Sequence, residues 1–123
     1  MIKILLVDRN PYIRQGLQMY LSLQPDFIVV GETGNEQEAI KLARDMTPDV
    51  VVMDIQTFTS EGLEVIRLLH ESRPSCAVII LTLLGDQLNQ EFAKQIGVAA
   101  FVSKKKTNGE LIDAIRKSAQ VSK

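Results

Sequence analysis

The chain is expected to fold as a doubly wound α/β domain, a parallel sheet with helices on both faces, and three observations carry that expectation. Five short apolar runs rich in β-branched residues alternate with five longer amphipathic segments. The runs are continuously hydrophobic rather than alternating, which is the pattern of a strand covered on both faces. Parallel strands joined by helices also need right-handed crossovers, which place the helices on both sides of the sheet.

Each element has a local reason. The strands are Ile2 to Val7, Phe27 to Val30, Val50 to Met53, Ala77 to Leu81 and Ala99 to Val102. Asn10 is suited to cap a first helix whose leading position is Pro11, and Ile13, Leu17, Tyr20 and Leu21 share one face of it. Asn35 with Glu38 three residues later forms a capping-box variant ahead of Ala39, Ile40, Ala43 and Met46. A third helix from about Glu61 buries Leu63, Ile66 and Leu69. A fourth runs from about Asp86 to Ile96 and stops at Gly97. The last starts at Thr107, with Glu110 three residues on, then Leu111, Ile112, Ile115 and Ala119. Five such strands fit the flavodoxin-like order 2-1-3-4-5, whose crevice lies at the carboxyl ends of strands 1 and 3.

Composition narrows the function classes. The 123 residues make one domain, here residues 1–119, with 120–123 a tail or the start of a linker. Fourteen basic against fifteen acidic residues leave a formal charge of -1, which offers no bulk basic surface for nucleic acid. The single Cys76 beside Ala77-Val78-Ile79-Ile80-Leu81 reads as a buried thiol. No apolar run has membrane-spanning length and the amino terminus has no signal-peptide layout, so a cytoplasmic protein with no membrane partner is expected. His70 reads as a surface residue, and Gly31 and Gly34 match neither glycine-rich phosphate fingerprint. A flavin site on the same fold is disfavoured, because the loop Asp8-Arg9-Asn10-Pro11 lacks the hydroxyl-rich run that a flavin phosphate needs.

Four polar residues close four of the apolar runs: Asp8 after strand 1, Asp54 after strand 3, Thr82 after strand 4, and Lys104 two residues past strand 5. Acids and hydroxyls commonly cap strand-end loops, so each alone says little. Together they suit one reaction. A carboxylate can attack a phosphoryl donor and become an aspartyl phosphate. Such transfer depends on positioning and on countering the charge of the phosphoryl oxygens, which Lys104 and the Thr82 hydroxyl can do. Asp54 is the expected nucleophile.

At these residues the chain resembles the receiver domains of bacterial two-component response regulators, in particular the branch of nitrate-response and quorum-sensing transcription factors (NarL/LuxR-type). The resemblance runs from Ile2 to about Ser118. It is carried by Val30-Gly31-Glu32 through Glu38-Ala39-Ile40, by Pro48-Asp49-Val50-Val51-Val52-Met53-Asp54-Ile55, and by Gly62-Leu63-Glu64-Val65-Ile66. It implies that Asp54 is the phosphoacceptor, Thr82 the switch hydroxyl, Lys104 the lysine, Phe101 the aromatic switch, and Asp8 part of the acidic pocket. It implies a histidine kinase as phosphoryl donor and magnesium held by Asp8, Asp54 and the Gln56 backbone carbonyl. It also implies a homodimer through the first or last helix, and a DNA-binding helix-turn-helix domain in a longer parent. The domain would be a phosphoacceptor that assists its own modification rather than an enzyme.

Position 9 departs from that family's pattern. It normally holds an acid that binds magnesium, and here it is Arg9. Asp8, Asp54, Lys104 and Arg9 sum to about zero charge, where three acids and a lysine leave two negative charges, so magnesium binding is expected to be weakened or absent. Exchanging the acid for arginine about 5 Å from a divalent ion costs roughly 13 kcal/mol at an effective dielectric near 20, before the side chain swings away. Arg9 could instead fork onto Asp54 and lock it, which would leave a phosphorylation-independent dimerisation or docking module. Thr57-Phe58, Leu83 and Lys105 are further departures, and of Lys104-Lys105-Lys106 one lysine is expected to point inward.

Overall fold

A computed structural model describes residues 1–54, 60–82, 95, 97–104 and 109–122. Five parallel strands, β1 (Ile2–Val7), β2 (Phe27–Thr33), β3 (Val50–Asp54), β4 (Ala77–Thr82) and β5 (Ala100–Ser103), form one sheet in the order β2-β1-β3-β4-β5. The described helices are α1 (Pro11–Ser22), α2 (Glu36–Met46), α3 (Ser60–Ser72) and α4 (Glu110–Ser122). The expected fold and strand order are therefore what the chain adopts. The helix expected over Asp86 to Ile96 lies, but for Gln95, outside the described residues.

Side chains alternate between two cores. Leu5, Val7, Val51, Met53, Val78 and Ile80 face one side of the sheet and meet Ala39 and Ala43 of α2 and Val65, Ile66 and Leu69 of α3. Ile4, Leu6, Val50, Val52, Ile79 and Leu81 face the other, against Leu21 of α1 and Leu111, Ile112, Ile115 and Ala119 of α4. Both faces of the three central strands are thus dry, which is why their sequences show no polar alternation. Truncating a side chain as buried as Ile80 to alanine is expected to cost about 2–5 kcal/mol.

The caps explain where the helices start. Asn10 accepts from the Tyr12 and Ile13 amides at 2.9 and 3.3 Å, and Asn35 accepts from Gln37 and Glu38 at 2.8 and 3.1 Å. At α2 the Asn35 amide donates to Thr33 Oγ1 at 3.0 Å, so a threonine fills the place that Glu38 takes in a full capping box. α2 ends on Thr47 at φ 47, a left-handed residue whose hydroxyl accepts from Lys3 Nζ at 2.9 Å. The last helix does not follow expectation. It begins at Glu110, directly after Gly109 at φ 83; Thr107, the expected start, lies outside the described residues. The Asp113 amide donates to the Gly109 carbonyl at 2.9 Å as the first turn forms.

Four strands run past the ends of their apolar runs, β2 to Thr33 and β5 to Ser103 among them. β3 continues into Asp54 and β4 into Thr82, so both polar residues are held by ladder hydrogen bonds rather than by loops.

Candidate functional site

The topology brings the ends of β1, β3, β4 and β5 to one edge. Asp54 is the last residue of β3 and is paired in register with Leu81. Thr82 is the last residue of β4, fully buried, and pairs with Ser103. The Lys104 amide donates to the Thr82 carbonyl at 2.9 Å, which fixes the lysine's backbone to the neighbouring strand. Asp8 follows β1, and its own amide donates to the Thr33 carbonyl of β2 at 3.0 Å.

From those anchors three charged side chains meet. Lys104 Nζ lies 2.6 Å from Asp54 Oδ1 and 3.4 Å from Asp8 Oδ2. The 2.6 Å contact makes the Lys104 ammonium the close charge partner of the buried Asp54 Oδ1. Asp8 and Asp54 are 3 % and 8 % exposed, so two carboxylates share one ammonium in a space largely closed to water. Burial raises the Asp54 carboxyl above its ordinary value; the Lys104 ammonium opposes that, Asp8 adds to it, and Arg9 opposes it least. A carboxylate held beside a cation can attack a phosphoryl donor whose charge that cation offsets.

Asp8 is held by a shell that sequence reading missed. Its Oδ1 accepts from the Asn10 amide at 2.9 Å, and its backbone carbonyl accepts from Arg14 Nη1 at 2.6 Å. Arg14 Nε also donates to Glu32 Oε1 at 3.2 Å. Gly34 makes room for this guanidinium, since a Cβ there would lie 2.7 Å from Arg14 Nη1 and 3.4 Å from the Asp8 carbonyl oxygen. The one available signal was that Arg14 follows the Asn10 cap by a helical turn on a helix that packs beside β1.

Arg9 does not fork onto Asp54. Its Nη2 lies 3.7 Å from Glu36 Oε1 in the first turn of α2, and its side chain is 74 % exposed. A guanidinium that has a carboxylate partner and water available has no need to enter the pocket, and the lock considered as an alternative is absent from this structure. Phe101 sits half-buried on β5 against the core that α2 and α3 cover. His70 is exposed and Cys76 buried, both as expected; burial pushes the Cys76 thiol up to about 11. Gln56, Thr57, Phe58, Leu83, Lys105 and Lys106 lie outside the described residues.

The donors for magnesium can be tested directly. Hard divalent cations want several oxygen ligands, and among the described residues no group of three or more acidic, histidine or cysteine side chains comes together. Two carboxylates remain, both already facing the Lys104 ammonium. Asp8 and Asp54 could supply two oxygen ligands, and the third expected one, the Gln56 carbonyl, lies outside the described residues. Among the described residues, no helix is long and apolar enough to cross a membrane.

A sequence model of the response regulator receiver domain matches residues 4–116. The chain is 32 % identical over 119 residues to the response regulator protein VraR of Staphylococcus aureus, covering 97 % of this chain and 57 % of that protein. It thus spans little more than half the length of the curated relatives it matches. Among solved structures it is similar to the response regulator domain of Thermotoga maritima CheB, with TM-score 0.85 and 27 % identity, covering 98 % of this chain and 97 % of that one. It is also similar to a LuxR-family two-component response regulator from Aurantimonas sp. SI85-9A1, with TM-score 0.82 and 29 % identity, covering 97 % and 85 %. A third likeness is to a DNA-binding response regulator of the LuxR family from Staphylococcus aureus, with TM-score 0.80 and 27 % identity, covering 97 % and 99 %.

Proposed function

The chain belongs to the response regulator receiver domain family, and from that premise we propose that it is a phosphorylation-driven switch in which Asp54 takes a phosphoryl group from the phosphohistidine of a partner kinase. One observation carries the reading. Asp54 presents a buried carboxylate at the end of β3, 2.6 Å from the Lys104 ammonium that also lies 3.4 Å from Asp8. Lys104 stabilises charge on the transferred group, and the buried Thr82 hydroxyl at the neighbouring strand end supplies a donor once the group is in place.

The response is a two-state population shift, in which Thr82 and Phe101 adjust to the phosphoryl group and alter the surface around β5 and α4. Magnesium is bound weakly or not at all, because Arg9 stands where the family carries an acid. In a longer cytoplasmic parent this surface would control a DNA-binding helix-turn-helix domain. That role is supported by the similar structure of a DNA-binding regulator. Homodimerisation through α1 or α4 follows from the same kinship. Light scattering that stays monomeric with and without acetyl phosphate would exclude it.

The alternative, a phosphorylation-independent docking module, drew its support from an Arg9 that blocks Asp54. An outward Arg9 paired with Glu36 takes that support away. The reading is tested by incubating the chain with phosphoramidate and reducing with borohydride, which converts an aspartyl phosphate to homoserine. Peptide mass should map homoserine to position 54; an unmodified Asp54 peptide would refute the assignment.

A further inference from the structure

We propose that Arg9 is the phosphoryl-binding cation of this pocket, supplying the charge that a divalent ion would otherwise bring, so that Asp54 is modified without metal. This inference rests on the reading that Asp54 is the phosphoacceptor, and on Arg9 standing where the family carries a metal-binding acid.

Charge balance comes first. Before transfer the pocket holds Asp8, Asp54 and Lys104. In the transfer an Asp54 oxygen pair forms a bond to phosphorus, and the donor's bond to phosphorus breaks with its pair leaving on the donor. With acetyl phosphate that pair leaves on acetate; with phosphohistidine it leaves on the imidazole nitrogen, which then takes a proton from solvent. One carboxylate charge disappears and a phosphoryl dianion takes its place. Lys104 alone cannot offset that dianion together with Asp8. An acid at position 9 plus a divalent cation would add one net positive charge to the pocket. Arg9 adds the same one by itself, with a planar fork of donors suited to phosphoryl oxygens.

The geometry gives Arg9 a fixed base and a free arm. Its backbone is set by both neighbours: the Asp8 carbonyl is held by Arg14 at 2.6 Å, and the Asn10 amide donates to Asp8 Oδ1 at 2.9 Å. The side chain is 74 % exposed, and its ion pair among the described residues is with Glu36, at 3.7 Å, longer than a hydrogen bond. Exposed ion pairs of this kind are weak and easily exchanged. A dianion in a largely buried site is the stronger partner, so the arm is expected to leave Glu36 when Asp54 is modified and to return when the group is lost.

The test is a time course of intact mass with acetyl phosphate, in EDTA and in magnesium, on the native chain and on Arg9→Gln, Arg9→Lys and Arg9→Asp. Arg9 is exposed, so these variants are expected to fold, and far-ultraviolet circular dichroism verifies it. The native chain should label at rates within about twofold in the two buffers, Arg9→Gln should be slower about tenfold or more in both, and Arg9→Lys should fall between them. Arg9→Asp should be slow in EDTA and recover with magnesium. The Arg9 Nε–H resonance should shift on labelling, a readout that a merely structural role for Arg9 would not move. A native chain that labels only with magnesium, or an Arg9→Gln that keeps the native rate in EDTA, overturns the proposal and leaves Asp54 as phosphoacceptor. No adduct in any variant or buffer overturns the phosphoacceptor reading and the proposal with it.

Discussion

The Lys104 ammonium lies 2.6 Å from Asp54 Oδ1 although the two residues close different strands, because the Lys104 amide is bonded to the Thr82 carbonyl on the strand between them. The same ammonium is 3.4 Å from Asp8 Oδ2. One cation therefore serves two buried carboxylates, and the consequences for stability, titration and chemistry can be measured separately.

Removing that cation should be costly. Lys104→Met leaves Asp8 and Asp54 facing each other without a counter-charge, and a loss of about 1–3 kcal/mol at neutral pH is expected from denaturant unfolding. The loss should shrink toward pH 4, where the Asp54 carboxyl, raised by burial, can take up a proton. A loss that stays the same at both pH values would mean that packing of the lysine stem, not its charge, is what the substitution removes.

Asp54 should trade stability for reactivity. Its folded carboxyl sits above the ordinary value of 3.8, through burial first. The folded state then binds protons more readily than the unfolded chain, so stability falls as pH rises from about that value through the raised one, and the cost is fully present at neutral pH. Asp54→Asn should therefore be more stable than the native chain at pH 7, by about 1 kcal/mol or about 4 °C in Tm, and the advantage should vanish below the ordinary carboxylate range. Equal melting temperatures at pH 7 would argue against a strained acid.

Arg14 and Gly34 should act as one device. Gly34→Ala puts a Cβ against the Arg14 guanidinium and so displaces its 2.6 Å bond to the Asp8 carbonyl. Each of Gly34→Ala and Arg14→Met is expected to cost about 1–2 kcal/mol, and the double variant little more than either alone. Full additivity in the double-mutant cycle would show that the two are independent.

Cys76 should be inert while the chain is folded. Its thiol is 5 % exposed and pushed up to about 11 from a usual 9.0. At pH 7.5 the thiolate fraction is lower by about a hundredfold, and a disulfide reagent should react at least that much more slowly than with the unfolded chain. Comparable rates before and after unfolding would contradict the burial.

Much of this was legible in the sequence. Continuous apolar runs predict the parallel sheet because both faces are covered, and the polar residues ending those runs mark the site edge because strand ends converge there. Asp8, Asp54, Thr82 and Lys104 were found this way. What stayed hidden depends on contacts between distant segments. Arg14 reaching back to the Asp8 carbonyl, Gly34 clearing its path and Thr33 completing the α2 cap leave no periodic trace. The direction of Arg9 was left open by the sequence, since Glu36, the carboxylate it pairs with, belongs to the next helix rather than to the pocket. The start of the last helix was misplaced because Gly109 adopts a left-handed φ that a capping-box pattern does not register.

The central claim is tested most directly by intact mass after incubation with acetyl phosphate, comparing the native chain with Asp54→Asn. The account predicts one phosphoryl adduct on the native chain and none on the variant. An unlabelled native chain, under conditions that label a typical receiver domain, would contradict it, as would an adduct that survives in Asp54→Asn.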